Sequence, residues 1–263
     1  FFSGPMAVLP DDVWVMVYEY LPRFKVRATG IMQTCSQLRE LLYLRHAKCC
    51  LRPSAVPHFV ELARRRQVQE LHLSFDKRTR RSLRDDEACL LASALEDSHV
   101  LTHLSIDLSF TTVGDAGARA LAACLSCSPA LEDLHLDLSN TKLGDAGVEA
   151  LALLCNTPSL RSLSLILRDN GLSDAGAEAL ASFRSAPLLH TLRLDLMSNE
   201  IGDTGATWLA ELQHCISLHT LDLDLGSNHV GDAGSQALAA LGNPLSPIRT
   251  LTLDLSSSPL LWA

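Results

Sequence analysis

Five aspartates recur at one place in successive alternating segments: Asp107, Asp137, Asp195, Asp224 and Asp254, with Ile166 standing in one copy. Each lies between the last two apolar residues of its segment, as in Leu192-Arg193-Leu194-Asp195-Leu196. If these segments are neighbouring strands, the carboxylates form a stripe with a spacing of about 4.8 Å. Two carboxylates about 5 Å apart repel by roughly 0.8 kcal/mol in water, and by more in a lower dielectric. A basic partner, a cation or nearby arginines would offset that cost, and Arg168 and Arg193 fall on the same face. Two readings stand: a surface for Lys/Arg-rich protein segments, or a solvated feature copied by duplication. One carboxylate per strand makes a poor calcium cage.

Nucleophile chemistry has little to work with. Ser164, His135 and Asp137 are placed to meet on one face, but a polar repeat face assembles such trios without function. The chain has no HExxH, no GxSxG and no Gly-rich phosphate loop. Cys124 and Cys127 form a lone CxxC without a second pair, which argues against zinc. The eight cysteines follow no disulfide framework and are expected to be reduced thiols in an intracellular protein, cytoplasmic or nuclear. The vicinal pair Cys49–Cys50 is expected to pack in a helix. No catalytic residue, cofactor or metal is assigned, and the chain is not expected to be an enzyme.

What must position these residues is a repeat. Alternating apolar segments begin at Leu104, Leu134, Leu163, Leu192, Leu221 and Leu251, at steps of 30, 29, 29, 29 and 30, with a weaker copy at Leu71. The following turn recurs as Gly144-Asp145-Ala146-Gly147 or a close variant. Each copy is expected to form strand, turn and helix. The Asp of the turn is expected to cap the helix that follows, and its second Gly to permit close backbone approach. Asn170, Asn199 and Asn228 share one column, with Thr111, Thr141 and Ser258 in other copies, where a side chain can bond the turn backbone.

This pattern resembles leucine-rich repeats of the long, ribonuclease-inhibitor-like kind, over residues 68–263. It is two residues longer than the family pattern between strand and Asn, an insertion that preserves which side chains face inward. The resemblance implies an α/β leucine-rich-repeat solenoid, with a parallel concave sheet and convex helices. About seven repeats are expected, the last incomplete.

Charge narrows the partners. The 263-residue chain has a formal net charge of −8. Residues 1–67 carry ten Lys/Arg against five Asp/Glu, and residues 68–263 twelve against twenty-five. An acidic body argues against nucleic acid. No apolar run approaches the roughly 18 residues of a membrane-spanning helix. Phe1 to Pro5 do not form a signal peptide, and Met6 is a candidate initiator. A basic cluster, Arg64-Arg65-Arg66 with Lys77, Arg78, Arg80, Arg81 and Arg84, is read first as a charged edge that discourages strand addition. The alternative is a site for acidic protein or phosphate.

The N-terminal segment follows other rules. Leu9-Pro10-Asp11-Asp12 opens an amphipathic helix, with Val13, Val17, Tyr20 and Leu21 on one face and Pro22 ending it. Thr34-Cys35-Ser36-Gln37-Leu38 opens another helical stretch. Together these resemble an F-box, with Leu38 where the family has Trp and with Ala28 and Gly30 where it has larger apolars. The expected division is an F-box-like helical domain at 6–50, a connecting helical cap at 51–67 and the solenoid at 68–263. The resemblance implies that Leu9, Pro10, Val13, Val17, Leu21, Cys35 and Leu38 form or support a face for the Skp-type adaptor of an SCF ubiquitin ligase. The concave face would then hold a protein substrate. The competing expectation is a plain cap on a scaffold subunit of a larger assembly.

Overall fold

The computed structural model describes residues 46–63, 68–96 and 98–256. Leu9, Pro10, Val13, Val17, Leu21, Cys35 and Leu38 lie outside the described residues, as do Arg64, Arg65 and Arg66. Eight strands form one sheet in chain order, every neighbouring pair parallel. They are β1 (His46–Leu51), β2 (Glu70–Phe75), β3 (His103–Asp107), β4 (Asp133–Asp137), β5 (Ser162–Ile166), β6 (Thr191–Asp195), β7 (Thr220–Asp224) and β8 (Thr250–Asp254). Between them run seven helices: α1 (Val56–Ala63), α2 (Asp85–Glu96), α3 (Asp115–Ser126), α4 (Asp145–Ala152), α5 (Asp174–Leu180), α6 (Asp203–Ala210) and α7 (Asp232–Leu238). Sequential order with only nearest-neighbour pairing defines an α/β solenoid.

The leucine columns set the register. Leu104, Leu134, Leu163, Leu192, Leu221 and Leu251 are cross-strand partners in turn. Their side chains, with the next leucine column and the inner faces of the helices, make one continuous core. Leu163, Leu192, Leu209, Leu212 and Leu221 are fully buried. Helices built on small Ala residues and finished by short 3-10 turns pack close to their neighbours, as α5 does before Ala181–Ser185.

One boundary differs from the sequence expectation. Residues 46–51, mostly within the segment expected to be helical, form β1 and pair along β2. Cys49 and Leu51 point into the core, so the alternation of a strand accounts for this stretch. The Cys49–Cys50 pair is therefore strand packing, not helix packing. Burial, followed by the charge of Cys50, pushes the Cys49 thiol up to about 12. All seven described cysteines are free thiols.

Two side-chain ladders hold the repeats together. The first corrects the expected role of the turn aspartates. Asp115, Asp145, Asp174 and Asp203, each first in its helix behind a Gly or Ser, and Asp85, first in its helix behind Arg84, reach the helix of the following repeat. Asp85 Oδ1 accepts from the N–H groups of Gly114 (2.7 Å) and Gly117 (3.0 Å). Asp174 does the same for Gly202 and Gly205, and Asp203 for Gly231 and Gly234. Asp115 accepts from Gly144, and Asp145 from the backbone and hydroxyl of Ser173. The carboxylate thus satisfies orphan donors at the positive end of the next helix. The second Gly is required by this approach: a Cβ on Gly205 would lie 2.6 Å from Asp174 Oδ1.

The second ladder is the Asn column. Asn199 Oδ1 accepts from the N–H groups of Asn170 and Leu172, and its Nδ2 donates to the carbonyls of Leu167 and Leu196. Asn228 bonds Ile201 N–H and the carbonyls of Leu196 and Leu225 in the same way. Thr111 and Thr141 start the column with hydroxyls on the Leu108 and Leu138 carbonyls, and Thr141 also reaches the next repeat, its N–H donating to Asn170 Oδ1 and its hydroxyl lying 3.0 Å from the same oxygen.

Candidate functional site: the concave face

The outward positions of the strands form a polar concave face. Asp107 pairs in register with Asp137, and Asp195 with Asp224 and then Asp254, so the predicted stripe is assembled with a break at Ile166. The carboxylates are not idle. Asp107 Oδ1 accepts from the backbone N–H (3.0 Å) and hydroxyl (2.6 Å) of Ser109. Asp137 is bonded in the same way by Ser139. Asp224 accepts from Gly226 N–H and Asp254 from Ser256 N–H. These bonds hold the turn where each strand ends. The backbone N–H of Ser256, then its hydroxyl, holds the Asp254 carboxyl below the usual carboxylate range.

Asp195 is the exception. It is only 2% exposed, and Arg168 meets it with two nitrogens: Nε at 2.6 Å from Oδ1, and Nη2 on Oδ2. Arg168 Nη2 also lies 3.6 Å from Asp224 Oδ2. The Asp195 bond, more than the surrounding Coulomb field, raises the Arg168 pKa further. Arg168 takes the position that Ser109 and Ser139 hold in their repeats, and Ile166 the position of the aspartate. One repeat thus lends a cation to the carboxylate of the next.

Arg193, expected to offset the stripe, does not. It pairs with its cross-strand partner Asp222, Nε to Oδ2 at 3.3 Å, two residues back along the strands. Ser164 and His135 are cross-strand partners, but Asp137 is turned to Ser139, and no hydrogen bond joins the three among the described residues. Burial outweighs Asp137 and holds the His135 imidazole pKa below its ordinary value. No group of three or more His, Cys, Asp or Glu able to hold a metal occurs among the described residues.

Two features were missed by reading the sequence repeat by repeat. His190 and His219 stack at 5.3 Å where β6 and β7 begin. At the other end of the strands, Arg80 lies over the Phe110 ring at 4.6 Å and donates to Ser109 Oγ. The first was visible as two His in equivalent positions of adjacent copies. The second showed only as Phe110 in the column of Asn140, Asp169, Ser198 and Ser227, because Arg80 stands in a turn longer than its counterparts.

The family model described as leucine rich repeat matches residues 99–122, 134–152, 159–181, 189–210 and 214–239. These segments cover repeats running from β3 to α7, so the chain carries leucine-rich repeats. None of them reaches residues 9–46. No curated protein matches the chain. A leucine-rich-repeat solenoid is in general a binding scaffold, and the repeats suggest a protein–protein interaction module. Among the described residues no helix is long and apolar enough to cross a membrane.

Proposed function

We propose that this chain is a substrate receptor of an SCF-type ubiquitin ligase. Residues 9–46 dock on the Skp-type adaptor, and the concave face holds a protein substrate. The observation that carries it is an F-box-like motif directly ahead of a leucine-rich solenoid: Leu9-Pro10-Asp11-Asp12-Val13, Val17 to Pro22 and Thr34 to Leu38. Catalysis belongs to other subunits, and this chain supplies proximity and orientation. The carboxylate oxygens left over from the turns at Asp107, Asp137 and Asp254 favour a substrate with basic segments. Pull-down of purified Skp-type adaptor by the full chain tests the reading, with Pro10→Ala and Val17→Asp in parallel. Binding by the native chain and loss in both folded variants supports it. No binding by the folded native chain rejects it.

A second reading is a scaffold subunit of a larger assembly. A pull-down without adaptor but with copurifying stoichiometric subunits would select it.

A further inference from the structure

The basic loop after β2 loses the role first given to it. A charged edge discourages strand addition only if its strand is an edge, and β2 is an interior strand flanked by β1 and β3. Residues 76–84 nevertheless carry Lys77, Arg78, Arg80, Arg81 and Arg84 against a single carboxylate, Asp76. Among the described residues, no carboxylate lies within ion-pair distance of Lys77, Arg78, Arg81 or Arg84. All four are exposed. Two carboxylates that follow are engaged elsewhere: Asp85 holds Gly114 and Gly117, and Glu87 accepts from the Arg84 backbone N–H. Asp86 alone stays exposed without a bond.

The loop is rigid. The carbonyl of Asp76 accepts from the N–H groups of Thr79 and Arg80, and its Oδ1 from Arg78 N–H. Leu83 is fully buried beneath it, and its carbonyl accepts from Thr112. The five cations are therefore carried on one short, hydrogen-bonded loop.

Phe110 adds a second, independent observation. After each of β3 to β7 the same turn position has positive φ: Asn140, Asp169, Ser198 and Ser227 at 52 to 58°, and Phe110 at 57°. The first four are small polar residues, whereas a bulky aromatic is a poor occupant of left-handed backbone. Its ring gains no core burial in return, being 43% exposed, and it packs under the Arg80 guanidinium. An aromatic held at an unfavourable backbone position, exposed beside unpaired cations, is placed for contact with another molecule.

We infer that Lys77, Arg78, Arg80, Arg81, Arg84 and Phe110 form a docking surface for an acidic segment of a protein partner. Its carboxylates pair with the loop cations, and an apolar side chain lies against Phe110. The surface sits on the rim where the strands end, joined to the first carboxylate of the acidic stripe through Arg80, Ser109 and Asp107, and it does not depend on the adaptor reading.

The test is fluorescence anisotropy of the full chain with a fluorescein-labelled Glu-rich peptide bearing one Leu. A single-stranded oligonucleotide and phosphatidylserine vesicles serve as rival anions. Arg78→Glu/Arg81→Glu should weaken peptide binding by about tenfold or more, and added salt should weaken it further. Phe110→Asn should also weaken it while leaving the thermal midpoint unchanged or higher, because Asn suits the backbone there. A purely structural Phe110 would instead lose stability and keep its affinity. No peptide binding, binding indifferent to both variants, or tighter capture of oligonucleotide or vesicles would overturn the inference.

Discussion

Arg168 of one repeat and Asp195 of the next form a two-nitrogen, two-oxygen pair in which the carboxylate is almost wholly buried and the guanidinium is 41% exposed. The pair replaces the Asp–Ser turn bond used in repeats such as Asp107–Ser109. Arg168→Ala strands a buried carboxylate and is expected to cost about 2 kcal/mol, discounted for the exposure of the arginine. Asp195→Asn in the same background should recover part of that loss. Urea unfolding of the single and double variants measures both.

The turn-holding aspartates make a different prediction. Asp107→Ala or Asp137→Ala should cost about 1 kcal/mol, because each removes a side-chain acceptor from a turn N–H. Asn at either position retains the acceptor and should cost less. Stability that rose on removing these carboxylates would mean that repulsion along the stripe outweighs the turn bonds.

The inter-repeat aspartates allow an internal control. Asp174→Ala leaves the N–H groups of Gly202 and Gly205 without their acceptor and should cost about 1–2 kcal/mol. Asp232 occupies the same column, but among the described residues it holds no helix N–H. Asp232→Ala should therefore fall within about 0.5 kcal/mol of the native chain in the same urea titration.

Asn199→Ala removes two acceptor bonds and two donor bonds from a buried site and should cost about 3 kcal/mol. Asn199→Thr should cost less, since Thr111 and Thr141 serve in that column. Thermal unfolding of the two variants orders them.

Cys49 predicts a dependence on alkaline pH. Its thiol titrates at about 12 in the folded chain against 9.0 as the reference value. The unfolded chain therefore loses this proton first. The stability contribution is complete below pH 9 and is lost as pH rises toward about 12. At pH 8 a thiol reagent should modify exposed Cys127 and spare Cys49 until the chain unfolds, which peptide mapping reads directly.

The solenoid was legible because it is written several times: the leucine columns and Gly-Asp-Ala-Gly turns recur at steps of 29 or 30 residues. What a single copy obscured was anything that acts between copies. Asp174 looks like a cap for its own helix, yet its partners Gly202 and Gly205 lie in the next repeat. Arg193 shares a face with the stripe, yet Asp222 is directly across from it on the neighbouring strand. β1 was hidden because His46–Leu51 carries a single leucine and has no repeat turn after it. The aspartates stand in register along the strands, but their bonds to Ser109, Ser139, Gly226 and Ser256 depend on turns whose shape the alternation alone does not specify.

The most direct test of the functional account is hydrogen exchange of the full chain with and without purified Skp-type adaptor. The account predicts protection confined to residues 9–46, with β3 to β7 unchanged and the concave face left free for substrate. Protection on those concave strands, or none within 9–46, would contradict it.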